Sequence, residues 1–301
     1  MAVTAGEPSR PVRLGVVGYG VGGRYFHAPF VEAVPGLELA GVVTRNEARR
    51  AEVAADLPGV PTYDSLGDLL DAGVDAVTIT TPPETRRELV LEAIGRGVHV
   101  VADKPFAPSV AVAQEMTDAA AAAGVLLSVF HNRRWDGEIR TLARVLESGS
   151  LGEVWRVHSR FDLDEPGLLE VGPTGGLLRD IGAHLVDQML WLLGPARRVS
   201  AQLDVVDLPA GRTDAGFVVA LEHESGVRSF VDASKLNRIA GRELRAYGSG
   251  GSYLARPADV QAVALFAGRR PAADPDRWGL DVAENWGTLS TADGREQVAP
   301  D

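Results

Sequence analysis

Residues 12–24 read VRLGVVGYGVGGR, a hydrophobic run followed by the pattern G-x-G-x-x-G. When such a turn joins a strand to a helix, its backbone N–H groups bind the pyrophosphate of a dinucleotide. The residues predicted to form this turn are Gly18, Gly20, Val21, Gly22 and Gly23. The chain has 34 glycines, so an ordinary glycine-rich turn that binds nothing is the alternative, and the following sequence has to decide.

From residue 12 to residue 130, short β-branched runs alternate with helical stretches, a pattern typical of βαβ units with a parallel sheet. The predicted strands are Val12–Val17, Leu37–Thr44, Ala76–Thr80, His99–Ala102 and Val125–Phe130. The predicted helices are Val21–Val34, Asn46–Asp56, Leu66–Asp71, Glu84–Gly97 and Val110–Ala123. In this context the glycine pattern indicates a dinucleotide-binding domain over residues 1–130 of an α/β protein.

After residue 130 the pattern changes to two helices and a series of strands. The predicted helices are Glu138–Glu147 and Leu177–Leu193. The predicted strands are Val154–Leu163, Val199–Val206, Gly216–Glu222, Val227–Ala233, Glu243–Tyr247 and Gln261–Leu265. Alternating strands separated by turn residues favour an antiparallel sheet, so we predict a second, α+β domain over residues 131–301.

The composition excludes several classes of protein. A formal net charge of −11 argues against a nucleic-acid partner, which would require an excess of Lys and Arg on one face. The chain has no cysteine, which excludes disulfides and thiolate metal sites. The first ten residues lack the apolar core of a signal peptide, and no apolar run reaches the roughly 18 residues of a membrane span. We therefore expect a cytoplasmic protein that acts on a small molecule, with no nucleic-acid or membrane partner.

The end of the second predicted strand bears on the choice of cofactor. An NAD site usually has a carboxylate there for the ribose 2'-hydroxyl, but this strand ends in Thr44, Arg45 and Asn46. A guanidinium at that position suits the 2'-phosphate of NADP, and Arg49 and Arg50 would add positive charge. The alternative is a solvated first turn of helix. We predict NADP rather than NAD, with Thr44, Arg45 and Arg49 near the ribose.

Two loops follow the fourth and fifth predicted strands: Thr81-Pro82-Pro83 and Asp103-Lys104-Pro105. In a doubly wound sheet the loops at the carboxyl ends of strands form the ligand crevice, so we expect both to border the nicotinamide. The ammonium of Lys104 could stabilise negative charge that develops on a substrate oxygen. The alternative is an exposed loop lysine beside an aspartate.

Residues 175–187, GGLLRDIGAHLVD, are the second place with candidate chemistry. Asp180 and His184 are four residues apart and share one face of the predicted helix, with Asp187 one turn further. An imidazole beside a carboxylate can exchange a proton near neutral pH. The alternatives are a hydrogen-bonded core histidine and a metal-binding pair, and no further ligands are evident, so we predict no metal.

In their order and spacing, the G-Y-G-V-G-G turn, T-P-P, D-K-P and residues 175–187 resemble the Gfo/Idh/MocA oxidoreductases. These are NAD(P)-dependent dehydrogenases and reductases of sugars, inositols and related polyols. The segments FHAPF (26–30) and SVFHNRRWD (128–136) are most similar to the NADP-dependent scyllo-inositol 2-dehydrogenase branch. The similarity extends over nearly the whole chain.

The resemblance implies a Rossmann domain followed by an α+β domain with a large open, mainly antiparallel sheet, whose outer face commonly forms contacts in a homo-oligomer (dimer or tetramer). It implies that His184 is the acid/base on the reacting oxygen, while Lys104 and Asp180 hold and polarise that oxygen. Asp103 corresponds to a residue that contacts the cofactor. Hydride would pass directly between the substrate and the nicotinamide.

The chain departs from the family pattern in four places. Asp103 replaces the usual Glu, Arg86 stands where T-P-x-x-x-H would place a histidine, and the segment 161–176 is shorter and lacks the Arg and Trp of the inositol branch. Relatives usually continue for several dozen residues past the position of Asp301, with a helix that packs on the first domain. Candidates for the substrate wall, which could equally be interdomain or surface residues, are Asn132, Arg133, Trp135, Asp162, Lys235 and Asn237.

Two other functions are compatible with this resemblance. One is a glycosidase that oxidises its substrate transiently with a retained NAD, which Thr44-Arg45 disfavours because retained NAD needs no 2'-phosphate site. The other is a ligand sensor without catalysis, which the presence of Lys104, Asp180 and His184 disfavours.

Overall fold

The hydrophobic run before the glycine turn forms β1 (Val12–Val17), a central strand of the first sheet in a computed structural model that describes residues 10–172 and 175–300. The other strands of this sheet are β2 (Leu37–Val43), β3 (Thr62–Tyr63), β4 (Ala76–Ile79), β5 (His99–Ala102) and β6 (Leu127–Val129). Their order is β3-β2-β1-β4-β5-β6, and every pair is parallel. The predicted parallel sheet is confirmed; β3 escaped prediction because it has only two residues.

The helices of this region have bounds close to the predicted ones. They are α1 (Ala28–Ala33), α2 (Glu47–Asp56), α3 (Leu66–Asp71), α4 (Pro83–Gly95) and α5 (Val110–Ala123). Side chains of Asn46, Ser65 and Ser109 cap α2, α3 and α5, and Gly124 ends α5 in the left-handed conformation. The helix predicted over Val21–Val34 is not uniform, because a π-helical segment, Gly22–His27, precedes α1.

The first sheet is covered on both faces. One face packs Val77, Ile79 and Val100 against α4 and α5, while the other packs Val16 and Val42 against α1 and α2. Burial on both faces explains why these strands read as continuous hydrophobic runs rather than alternating ones.

The segment Gln261–Trp278 groups with residues up to Phe130 in a first compact unit, whereas the sequence assigned it to the second domain. All of α8 (Val260–Phe266) except its first residue lies in this segment, so the strand predicted at Gln261–Leu265 is wrong. A five-residue apolar run fits both periodicities, and burial of adjacent Ala264 and Leu265 beside exposed Val263 fits the helix. The ring of Phe266 lies 5.0 Å from that of Tyr25.

The second unit comprises His131–Val260 and the residues from Gly279 onward. Its helices are α6 (Gly137–Glu147) and α7 (Ala183–Leu193), and a π-helical segment, Leu178–Gly182, leads into α7. Its strands are β7 (Val154–Asp162), β8 (Ala196–Leu208), β9 (Gly211–His223), β10 (Arg228–Ser234), β11 (Gly241–Gly248), β12 (Gly251–Ala255), β13 (Gly287–Thr291) and β14 (Gly294–Val298). Short 3-10 turns lie at Asn132–Trp135, Pro166–Leu168, Pro271–Ala273 and Ala283–Asn285, the third of them in the first unit.

The eight strands form one sheet in the order β14-β13-β12-β11-β7-β10-β9-β8. Only β7 and β10 are parallel, so the predicted mainly antiparallel sheet is confirmed. One face buries Val157, Phe217 and Val231 against α6 and α7, which supply Leu142 and Leu185 among others. This core fixes α7, the helix that carries the candidate acid/base.

Candidate active site

All the predicted cofactor-binding residues lie in the first unit, at or after the carboxyl ends of β1, β2, β4 and β5. From β1 the chain moves outward to β2 and β3, then returns to β4 on the other side of β1. Open α/β sheets bind their ligands where the strand order reverses in this way. The glycine turn after β1 is therefore at the expected ligand crevice.

Packing within the protein explains two of the glycines. Gly18 has φ +98°, a conformation that favours glycine, and the Thr80 hydroxyl donates toward the carbonyl oxygens of Val17 (3.1 Å) and Gly18 (3.0 Å). A methyl group on Gly23 would lie 2.1 Å from the Gly18 carbonyl oxygen, so only glycine lets the helix approach the strand this closely.

Packing does not explain Gly20. The nearest atom to a methyl group built there is Nη1 of Arg49, at 3.7 Å, which is an ordinary contact. The protein alone would tolerate a side chain, whereas a pyrophosphate approaching the backbone would not. Exposed Val21 follows, and a methyl group on Gly22 would lie 2.8 Å from Oδ2 of Asp103. This turn fits a dinucleotide.

The three arginines after β2 have different surroundings. Arg49 donates to the carbonyl oxygen of Tyr19 and so lies over the glycine turn. Arg50 donates to Oγ1 of Thr62 at 2.9 Å and also pairs with Asp64. Arg45 is exposed, and its guanidinium has no hydrogen bond or ion pair within the described part of the chain. Arg45 is thus the arginine best placed to bind a phosphate, beside buried Thr44.

Asp56, at the end of α2, holds the glycine turn from behind. Its Oδ2 accepts hydrogen bonds from the Tyr19 hydroxyl at 3.2 Å and from Nε of Arg24 at 2.6 Å. Nη2 of Arg270 lies 3.7 Å from its other oxygen. Burial and the nearby carboxylate raise the pKa of Tyr19 above its usual range. No local sequence pattern indicates this role, because the partners of Asp56 are distant along the chain.

The carboxylate of Asp103 fixes the start of the Lys104 loop. One oxygen accepts a hydrogen bond from the Lys104 backbone N–H at 2.7 Å, and the other lies 3.5 Å from Nε2 of His27. His27 is buried, with Nδ1 2.7 Å from Oγ1 of Thr78 and its ring in tilted contact with that of Phe130, 3.9 Å between centroids. Burial acts to raise the pKa of Asp103, but His27 and the Lys104 and Arg86 charges outweigh it and lower that pKa.

Arg86, on α4, connects the two loops that the sequence placed at the nicotinamide. Its buried guanidinium donates to the carbonyl oxygen of Thr81 at 2.6 Å and to that of Pro105. Burial lowers the pKa of Arg86. The arginine that replaces the family histidine therefore holds the Thr81-Pro82 loop against the Asp103-Lys104-Pro105 loop, whose Lys104–Pro105 peptide is cis.

Asp180 and His184 lie in the second unit. Asp180 is in the π-helical segment and His184 in the first turn of α7, where its side chain is only 5% exposed. Asp214 accepts a hydrogen bond from the Leu178 backbone N–H at 2.7 Å and so fixes the start of this segment. The predicted regular helix thus begins with a π-helical segment, a feature frequent at functional sites.

Two carboxylates of this region have partners that the sequence did not reveal. Oδ2 of Asp180 lies 3.2 Å from Nζ of Lys235. Asp187, expected beside His184, pairs with Arg134 at 2.6 Å and lies 3.5 Å from Nε2 of His131. Burial lowers the pKa of His131.

The predicted substrate-wall residues are in several environments. Arg133 pairs with Asp136 at 3.2 Å and Asp259 at 2.7 Å. Asp162 is buried, and its oxygens accept hydrogen bonds from Arg160 and from the backbone N–H of Ser234.

The remaining wall candidates are less enclosed. Trp135 is 65% exposed, Asn132 is partly buried, and Asn237 accepts a hydrogen bond from the Ile239 backbone N–H at 3.0 Å. Residues 173 and 174 of the predicted substrate loop lie outside the described residues. The substrate roles of all these wall candidates stay predictions.

Within residues 10–172 and 175–300, no group of three or more His, Asp or Glu side chains is arranged to hold a metal ion. No helix in the same ranges is long and apolar enough to cross a bilayer.

The different surroundings of Gly20 and Gly23 predict opposite effects for two similar substitutions. Gly20→Ala should keep the free energy of unfolding within about 1 kcal/mol of wild type, yet weaken NADPH binding at least about tenfold. Gly23→Ala should lower the free energy of unfolding by about 1–3 kcal/mol, because backbone must move. Denaturant unfolding and fluorescence titration of NADPH measure the two effects. Equal NADPH affinity in Gly20→Ala and wild type would contradict the assignment.

Arg86→Met should leave the carbonyl oxygens of Thr81 and Pro105 without their donor. We expect a loss of about 1–3 kcal/mol for each buried carbonyl left unpaired, together with lower activity. Arg87→Met is a matched control, since Arg87 follows on the same helix and pairs with Glu115 at the surface. The control should change stability by less than about 1 kcal/mol. Equal unfolding midpoints for the two variants would refute the role of Arg86 in holding the two loops together.

Comparison with known proteins matches both halves of the chain to domains of one family. Residues 12–131 match the NAD-binding Rossmann fold of the Gfo/Idh/MocA oxidoreductase family, and residues 139–254 match its C-terminal domain. The oxidoreductase YdgJ of Escherichia coli K12 is 34% identical over 294 residues, covering 95% of this chain and 82% of YdgJ.

Two further proteins are similar over most of their length. The NADP+-dependent scyllo-inositol 2-dehydrogenase IolW of Bacillus subtilis is 29% identical, covering 95% of this chain and 80% of IolW. The solved structure of an oxidoreductase from Yersinia pestis has a TM-score of 0.86 at 33% identity, covering 99% of this chain and 85% of that one. The chain belongs to the Gfo/Idh/MocA family of NAD(P)-dependent oxidoreductases.

Proposed function

We propose that this protein is an NADP-dependent dehydrogenase or reductase that acts on a secondary alcohol, or its ketone, in a cyclitol, sugar or sugar derivative. The observation that supports this most is the buried imidazole of His184 one helical turn after the Asp180 carboxylate. The helix buries His184 beside Leu185, Gln188 and Met189, while the Asp180 side chain stays 38% exposed, and an imidazole beside a carboxylate can exchange a proton near neutral pH.

The proposed mechanism uses one oxygen of the substrate. In the oxidative direction, His184 takes the proton from the hydroxyl, while the ammonium of Lys104 donates a hydrogen bond to the same oxygen and stabilises its developing negative charge. Asp180 orients the reacting group. A bound nicotinamide would supply the hydride chemistry at the substrate carbon, and in the reductive direction His184 returns the proton.

The choice of NADP rests on Arg45. Its exposed guanidinium follows β2, where an NAD site would have a carboxylate, and it is available to pair with a 2'-phosphate. A 2'-phosphate site also disfavours a glycosidase with a retained NAD. The substrate class rests on family membership and on the similarity to IolW, an NADP+-dependent scyllo-inositol 2-dehydrogenase.

We also propose that the protein is a homo-oligomer and that it is cytoplasmic. Exposed apolar side chains on β8 and β9, among them Val199, Leu203 and Val218, favour burial of this part of the second sheet between copies of the chain.

The catalytic proposal predicts oxidation of NADPH in the presence of one or more ketoses or inososes. His184→Ala should lower kcat by about 100-fold or more while the Kd for NADPH stays within about twofold of wild type. His158→Ala, a histidine in the second unit outside the proposed site, is the control and should keep wild-type kcat. Absorbance at 340 nm follows the reaction. Turnover that survives His184→Ala would rule out the proton-transfer role.

The cofactor proposal predicts that Arg45→Ala weakens NADPH binding about 10- to 100-fold, because a charge-assisted contact to phosphate is lost. Binding of NADH should stay unchanged. Arg50→Ala is the control, since that side chain is held by Thr62 and Asp64. Titrations of both cofactors measure these effects. Tighter binding of NAD than of NADP by the wild type would overturn the role of Arg45.

A further inference from the structure

Lysine is rare in this chain and its positions are informative. Of the 30 Lys and Arg residues in the sequence, only Lys104 and Lys235 are lysines. Every other permanently cationic side chain, at the surface or inside, is an arginine. An ammonium is a compact point charge with rotatable donors, whereas a guanidinium is a larger planar fork. A chain that otherwise uses arginine retains lysine at two places, and one of them is the proposed catalytic Lys104.

The second lysine is held beside another proposed catalytic residue. Lys235 directly follows β10, and its backbone N–H donates to the carbonyl oxygen of Ala215 at 2.9 Å. Its Nζ donates to Oδ2 of Asp180 at 3.2 Å and lies 3.4 Å from the carbonyl oxygen of Leu168. The strand end therefore delivers an ammonium to the segment that leads into α7.

Burial shows which partner supports the other. The Lys235 side chain is 5% exposed, whereas the side chain of Asp180 is 38% exposed. The ammonium thus lies behind the carboxylate, which keeps a face toward solvent. An ammonium this buried is costly unless it is paired, and a buried ion pair is often no more stable than apolar residues of similar size. Stability alone is therefore a poor reason for Lys235.

We propose that Lys235 is a positioning residue of the active site, which acts by holding the Asp180 carboxylate in place one helical turn before His184. This inference rests on the proposed function, since it gives Asp180 a part in the reaction. In this role Lys235 acts through Asp180, in place of the direct contact with the substrate that its position among the wall candidates suggested.

A double-mutant cycle tests whether Lys235 acts through Asp180. Lys235→Met should lower kcat about 10- to 100-fold, as loss of a residue that orients a catalytic group usually does, with the Kd for NADPH unchanged. If the two residues act as a unit, Lys235→Met/Asp180→Asn should be no more than about threefold slower than Asp180→Asn. Lys235→Arg, which keeps the charge, should recover part of the lost kcat.

Arg228→Met is the matched control, because Arg228 is an exposed cation at the other end of β10. It should retain wild-type kcat. If Lys235→Met does not give a folded protein, the same cycle is run with Lys235→Arg. Multiplicative effects of the two single substitutions, or a Lys235→Met variant with wild-type kcat, would overturn the proposal.

A second measurement needs no turnover. Because the chain has two lysines, selective labelling with [ε-13C]lysine gives only two sets of side-chain NMR signals, assigned with Lys104→Arg and Lys235→Arg. Asp180→Asn should shift the Lys235 signal and leave that of Lys104 in place. An unmoved Lys235 signal would contradict the pairing. Absence of turnover by the wild type with every sugar and cyclitol, with the Lys235 signal still shifted, would refute the proposed function instead.

Discussion

The first unit depends on the close approach of the helix after β1 to the turn before it. A methyl group on Gly23 would lie 2.1 Å from the Gly18 carbonyl oxygen, so the helix can start at this place only with glycine there. The turn is then held by the Thr80 hydroxyl from β4 and by Asp56 from α2. This constraint brings the start of the helix to the point where the strand order reverses, and the first N–H groups of a helix have no partner within it, which is what an anion requires.

The polar groups inside both units are held by partners far away in the sequence. Arg86 contacts Pro105 across 19 residues, Asp56 contacts Tyr19 across 37, and Lys235 contacts Asp180 across 55. Each joins a loop or helix start to a neighbouring element. Because a buried polar group without a partner is costly, these contacts also restrict how far the loops of the site can move.

The sequence predicted the elements whose signals are local. The strand Val12–Val17 and the helix Val110–Ala123 have their predicted bounds, since a hydrophobic run and a Ser109 cap with Gly124 specify them. The strand at Gln261–Leu265 was wrong because a short apolar run does not distinguish strand from helix. The π-helical segments were missed because their start depends on tertiary contacts such as Asp214 with Leu178.

The same distinction holds for the site. Asp180 and His184 could be selected as candidates from residue type and spacing, whereas the role predicted for Lys104 depended on the resemblance to the family. The partners of Asp180 and Asp187 could not be predicted from the sequence. Lys235 and Arg134 are distant from them along the chain, and only the folded structure brings each pair together. The role of Arg86 likewise depends on its contacts with the Thr81 and Pro105 carbonyl oxygens, which no local sequence pattern indicates.

Asp103 and Arg86 are two departures from the family pattern, and both contact the loop that carries Lys104. The shorter Asp103 carboxylate lies close to His27 and Gly22, in a buried place where a charge is unfavourable. Arg86, which replaces a histidine, adds a positive charge there and holds Pro105, while His27 contributes most to lowering the pKa of Asp103 and Lys104 and Arg86 add to that effect. Asp103 and Arg86 therefore both hold the Lys104 loop, Asp103 through the backbone N–H of Lys104 and Arg86 through the carbonyl oxygen of Pro105.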